Sequence, residues 1–228
     1  MKKILALGLV VLLVLAGCSS TSTPEQAFEK AVKGLDSAHT VDFKVSTVIT
    51  TEDGDIVFDN FGKIMTEGKE EFSGQVTVKA LVNKVYEDLV IFVSEGKFYV
   101  EMNDVKSVMT QEELLAMGLV DFTLINTLVS DFDEATTKGS VHTFTKATDN
   151  VDHVLKFSTY SHLTSMTLKE ASMTQTLKVE KDAFTSNYIF VKSTYIAQDG
   201  TELPVTQAIQ LKYSGASKVE MPDFSAFK

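Results

Sequence analysis

The run Glu71-Phe72-Ser73-Gly74-Gln75-Val76-Thr77-Val78-Lys79-Ala80-Leu81-Val82 sets the fold class. Phe72, Val76, Val78, Ala80 and Val82 fall on alternate positions, and Ser73, Gln75, Thr77 and Lys79 lie between them. A period of two puts the first set on one face of a half-buried strand. The same period runs through Val41, Phe43, Val45 and Ile49 upstream, and apolar-rich segments of strand length cover Ile56–Met65, Tyr86–Ser94 and Lys97–Met102. Two-residue turns punctuate them: Asp53-Gly54, Glu67-Gly68 and Glu95-Gly96, with Lys138-Gly139 and Asp199-Gly200 further on. Hairpin turns of this length require positive φ, which glycine and aspartate tolerate best. The first half of the chain is therefore predicted to be an antiparallel meander.

Leu89-Val90-Ile91-Phe92-Val93 breaks the alternation, being apolar on both faces. Such a strand must be covered on both sides. The helical insert that follows is the expected cover. Thr110-Gln111-Glu112-Glu113 forms a capping box leading into Leu114, Leu115 and Met117. After Gly118, Asp121 caps a second stretch that carries Phe122, Ile125, Leu128, Val129 and Phe132 on one side. Together these eight apolar residues line either a ligand cavity or ordinary core. A hairpin is read over Glu134–Ala147, and Asn150–Tyr160 mixes helical spacing with poor helix formers and is read as helix. Strands return over Ser172–Asp182, Asn187–Ala197 and Leu203–Ser214, with a loop near Phe184, and a Val219–Met221 segment and Pro222 close the chain.

The meander is preceded by a helix. Thr23 and Gln26 fit a capping box, and Pro24 occupies the first helical position, where its missing N–H costs nothing. Phe28, Ala31, Val32 and Leu35 then recur on one face, with the end expected near Asp36.

Upstream of that helix the sequence reads as an address. Lys2 and Lys3 precede an uncharged apolar segment, Ile4–Ala16, which is shorter than the roughly 20 residues a bilayer core requires. It suits a signal-peptide core, and Leu15-Ala16-Gly17-Cys18 places the only cysteine of the chain at its end. This resembles the lipobox of bacterial lipoproteins, which implies cleavage between Gly17 and Cys18 and diacylglyceryl attachment to the cysteine sulfur, with palmitate among the chains such an anchor carries. The alternative is an ordinary signal peptide with a chance cysteine. The expected organisation is a signal peptide over 1–17, a lipidated tether over 18–23 and one domain over 24–228. Two or three acyl chains hold a protein stably on a membrane. A five-residue tether, Ser19–Thr23, spans at most about 18 Å.

Composition excludes several classes. The net charge is −10, and removal of Lys2 and Lys3, with no acid lost, makes it −12. No arginine occurs, which removes the planar fork that reads phosphate bidentately. An acidic chain without a basic footprint does not suit nucleic acid. With Cys18 acylated, no thiol remains for a disulfide or a metal. The four histidines, His39, His142, His153 and His162, are scattered, and no Gly-x-Ser-x-Gly elbow or phosphate-cradling glycine loop is present. Asp131-Phe132-Asp133-Glu134 lacks calcium-loop spacing and reads as solvated surface. The expectation is a non-enzymatic protein with no catalytic residue, no metal and no cofactor.

A lipobox, a tether, the Thr23-Pro24-Glu25-Gln26-Ala27-Phe28 helix, antiparallel strands, inserted helices, further strands and a closing Lys218-Val219-Glu220-Met221-Pro222 segment resemble the LolA/LppX-type lipoprotein superfamily, and within it the small lipoproteins of Gram-positive bacteria. The resemblance implies an α+β fold: a strongly curved antiparallel sheet, an open half-barrel, with helices packed on its concave face. It also implies a lipid or other apolar ligand between those layers, and a site on the extracytoplasmic side of the cell membrane. No residue-level binding motif of the family is matched. Two functions follow: a membrane-tethered carrier of an apolar ligand, or an envelope interaction module with a closed core and unknown protein partners.

Overall fold

A computed structural model describes residues 22–67, 71–82, 85–116, 131–157 and 166–227. Helix α1 spans Pro24–Gly34. The Thr23 Oγ1 accepts from the Gln26 N–H at 3.3 Å, and the Gln26 Oε1 accepts from the Thr23 N–H at 3.2 Å, so the capping box read from sequence is formed. The helix ends at Gly34 with Leu35 as its C-cap, close to the end expected near Asp36.

Eleven strands follow among the described residues: β1 (His39–Thr51), β2 (Gly54–Glu67), β3 (Glu71–Val82), β4 (Val85–Ser94), β5 (Lys97–Met102), β6 (Val105–Met109), β7 (Glu134–Lys138), β8 (Val141–Thr148), β9 (Thr167–Glu180), β10 (Ala183–Ile196) and β11 (Glu202–Gly215). Two short helices, α2 (Gln111–Ala116) and α3 (Val151–Leu155), interrupt them. All the strands belong to one antiparallel sheet in the order β6-β5-β4-β3-β2-β1-β11-β10-β9-β8-β7. Two meanders thus meet where β1 pairs with β11, and the sheet is not closed, with β6 and β7 at its ends.

Register carries one largely apolar face across the sheet. Leu177, Asn187, Leu211, Phe43, Gly62, Val76, Ile91 and Val100 form one row of partners from β9 to β5. The next row holds Gln175, Ile189, Ile209, Val45, Asn60, Val78, Leu89 and Met102. This is the inner face. Val41, Ile64, Ile91, Ile189, Ile209 and Leu211 on it are almost wholly buried. The short helices contribute Leu114, Val154 and Phe157 to the same cluster. Ala27 and Ala31 of α1 join Phe144, Leu177, Val179 and Phe184 in a second cluster.

The turns differ from expectation in an informative way. Glu95-Gly96 forms its hairpin, both residues having positive φ. Asn103-Asp104 and Lys181-Asp182 do the same without glycine, at φ of 50, 64, 52 and 59°. The first of these turns creates β6, which periodicity did not signal, and the second places Phe184 inside β10 rather than in a loop. Asn and Asp tolerate the left-handed region because short polar side chains bond locally. The Glu67-Gly68 turn and the Asp121-capped helix lie outside the described residues. For Asn150–Tyr160 the helix is short: Asn150 Oδ1 caps α3 by accepting from the Asp152 N–H at 3.0 Å.

Among the described residues, those that meet Phe92 on the second face of β4 come from the C-terminal tail. Phe92 faces away from the inner layer, and the chain's C-terminal tail reaches it. Phe224 and Phe227 both lie with ring centroids 6.3 Å from Phe92, and Phe224 stacks on Tyr99 of β5 at 3.8 Å. Leu114 of the insert packs on the inner face instead. The tail forms a 3-10 turn at Phe224–Ala226, capped by the Asp223 carboxylate, which accepts from the Ser225 N–H.

Candidate functional site

The inner layer is the place where a ligand could be held. Of the eight residues read as a cavity wall, Leu114 is buried in the main core cluster and Phe132 is half-buried in the second. Phe132 lies 5.5 Å from Phe28 and 5.3 Å from Phe144, with Phe184 closing the aromatic group 5.8 Å from Phe28. Leu114 and Phe132 therefore share the inner face but belong to different clusters. Met117, Phe122, Ile125, Leu128 and Val129, together with Gly17 and Cys18, lie outside the described residues, as does the Leu115 side chain.

Where the insert rejoins the sheet, its end is tied down by charge. The Lys146 ammonium of β8 donates to Asp133 Oδ1 at 3.0 Å and Asp131 Oδ2 at 3.2 Å, and Asp133 Oδ2 accepts from the Ala147 N–H at 2.8 Å. The acidic cluster is thus met by a lysine of the same chain. The Ala147 N–H and Lys146 hold Asp133 below the ordinary carboxylate range, and Lys146 does the same to Asp131. A carboxylate with a depressed folded-state pKa contributes stability above its unfolded pKa and loses it as pH falls through the folded one. Lys146→Met should therefore flatten the dependence of the thermal midpoint on pH below about 4 relative to the parent. Parallel melts across pH 6 to 3 check this, and identical slopes in both proteins would refute it.

Sequence reading missed a second set of residues. Thr47, Asn60, Gln175, Asn187 and Gln207 occupy inward positions of their strands and are buried. The Gln175 amide donates to Asn187 Oδ1 at 3.0 Å, and the Gln207 amide donates to Thr47 Oγ1 at 3.3 Å. Asn60 Oδ1 and Gln175 Oε1 are buried with no protein partner. Buried polar atoms are normally satisfied, so such atoms mark places where water or a ligand group fits. The signal that could have found them is an amide at an inward position of an alternating strand. Nearby, burial holds the Tyr213 phenol well above its ordinary pKa, opposed by the Asn187 side chain.

Two cavities open at the margins of this layer. One, of about 350 Å³, lies between the end of α1 and the ends of β1, β10 and β11, lined by Ala31, Leu35, Ala38, Phe184 and Tyr213 among others. The other, of about 710 Å³, is bounded by the start of α3 and by β9, β10 and β11, with Asp149, Lys169, Glu170 and Lys192 in its wall. The first is apolar and the second charged.

His39 and His142 are buried, and each lies within hydrogen-bond distance of a threonine hydroxyl, Thr66 at 3.0 Å and Thr137 at 2.9 Å. Among the described residues no group of three or more His, Cys, Asp or Glu is placed to hold a metal ion, and no helix among them is long and apolar enough to cross a membrane.

No family model and no curated protein matches the chain. Among solved structures, LprF from Mycobacterium bovis aligns with a TM-score of 0.43 at 10% identity, covering 88% of this chain and 96% of that one. A protein described as AttH from Nitrosomonas europaea aligns with a TM-score of 0.20 at 11% identity over 81% of this chain and 54% of that one.

Proposed function

We propose that this chain is a membrane-anchored extracytoplasmic lipoprotein, cleaved after Gly17 and lipidated on Cys18, that holds an apolar ligand between sheet and helices without catalysing a reaction. In this reading the sheet curves around its inner face as an open half-barrel over 24–228, and the helices occupy the concave side. The observation that carries it is the inner face itself. It is apolar across many strands, takes Leu114, Val154 and Phe157 into its core cluster, and keeps buried amide oxygens, Asn60 Oδ1 and Gln175 Oε1, without protein partners. Apolar walls with a few convergent polar groups are the usual make-up of a small-molecule site. A lipid carrying one uncharged polar group matches that chemistry. Leu114, Leu115, Met117, Phe122, Ile125, Leu128, Val129 and Phe132 are assigned to the helical wall.

The anchor fits the geometry of the opening helix. Lys30 donates to Asp182 of the β9–β10 turn at 2.8 Å and to Ser22 at 3.0 Å, fixing where the tether leaves the body. From Cys18 to Ser22 the chain spans at most about 14 Å. The aromatic group around Phe28 and Phe132 is thereby held near the bilayer surface, from which an apolar ligand would come.

Native mass spectrometry of the body from Ser19, purified without detergent, tests this. Discrete added masses that disappear on organic extraction are expected. A clean apo mass, unchanged after incubation with cell-envelope lipids, would overturn the carrier and leave an envelope interaction module.

A further inference from the structure

We propose that the C-terminal tail, residues 216–227, is a strap across the outer face that sets the angle of the β3–β6 wing about a glycine crease in the β2–β3 pair. Two independent observations meet at one place.

The first is the crease. Gly62 pairs with Val76 and Gly74 with Ile64, so both glycines sit at inward positions opposite large buried side chains. A Cβ on Gly62 would lie 2.1 Å from the Gln75 carbonyl oxygen, and one on Gly74 would lie 2.4 Å from that of Lys63. In an ordinary antiparallel pair, facing Cβ atoms stand about 4.5–5.5 Å apart. Here the space a Cβ would fill is taken by the neighbouring backbone, so the two strands are folded toward the inner face. Glycine inside a strand marks such bends.

The second is the path of the tail. At one end the Ser217 N–H donates to Thr40 Oγ1 of β1 at 2.8 Å. At the other, Phe224 and Phe227 seat on Phe92 and Tyr99, and the Lys106 ammonium of β6 lies 5.3 Å from the Phe227 ring centroid. Between these anchors, Lys218–Glu220 lie beside Phe61, Lys63, Gln75 and Thr77, and with these four and with Phe43 and Gly62 they line an open cleft of about 500 Å³. Those four residues alternate with Gly62, Gly74 and Val76, so the strap crosses outside the crease. It is fixed to β1 on one side and to β4–β6 on the other, and spans β2 and β3 between them. A tie across the convex side of a bend limits how far the bend can close or open.

The test uses the full chain with Phe224→Ala and Phe227→Ala together. Amides of β4 and β5 should exchange hydrogen about tenfold faster, with those of β9 and β10 unchanged. Equal acceleration in both halves, or none, overturns the strap. Thr40→Val loosens the other end and must give the same asymmetry if the double variant does not fold. Spin labels at Val105→Cys and Lys138→Cys then read the angle directly. The separation of the two sheet edges should shift and broaden when the strap is released, and an unaltered distance distribution overturns the proposal.

Discussion

Phe157→Ala should destabilise the protein by about 3–5 kcal/mol, the range for removing a fully buried aromatic side chain. Phe157 is completely buried and belongs to the main core cluster with Val154. It follows the five-residue α3, and its N–H closes the helix end onto the Val154 carbonyl at 3.0 Å. A helix this short has no stability of its own. Phe157 and Val154 are what dock it, so the truncation removes packing and frees the helix at once. At about 2–4 °C per kcal/mol for a chain of this size, the thermal midpoint should fall by roughly 6–20 °C. Urea unfolding followed by far-ultraviolet ellipticity checks the free energy. A loss below about 1 kcal/mol, as for a surface position, would show that α3 is not held to the sheet through this ring.

Gly62→Ala should cost about 3 kcal/mol or more, at or beyond the top of the usual 1–3 kcal/mol range for overpacking. The obstacle is the Gln75 carbonyl oxygen at 2.1 Å and the Val76 Cα at 2.9 Å, neither of which can rotate away as a side-chain end can. Relief requires β2 and β3 to part at the crease. Gly34 at the end of α1 is the matched control: a Cβ there meets nothing within 4 Å. Gly34→Ala should be neutral or stabilising by up to about 1 kcal/mol, since alanine loses less backbone entropy in a helix. Equal effects at the two positions in parallel denaturation curves would remove the crease from the account of this sheet.

Much of the architecture was legible because its signals are local. The capping boxes at Thr23 and Thr110 hydrogen-bond as read, and β3 and β5 keep the bounds that alternation set. Phe28, Ala31, Val32 and Leu35 all pack in the cluster under α1. Two departures share one cause. Asn103-Asp104 and Lys181-Asp182 turn the chain without glycine, so a glycine-based search passed over β6 and misplaced Phe184. The two-sided strand Leu89–Val93 called for a second cover, and its partners on that face include residues far along the chain. Phe224 and Phe227, more than 120 residues downstream, pack on Phe92.

What the sequence by itself determined, then, is composition and whatever repeats every two or four residues: strand faces, helix caps and the lack of arginine. Tertiary structure alone decided which distant segments meet. It joined the two meanders through β1 and β11, turned Asn60, Gln175 and Gln207 from ordinary polar letters into buried amides, and laid the tail over the Gly62–Gly74 crease. The physical reason is range. Backbone preference and periodicity act over a few residues, whereas the burial that selects long-range partners depends on the area removed from water once the whole chain is folded.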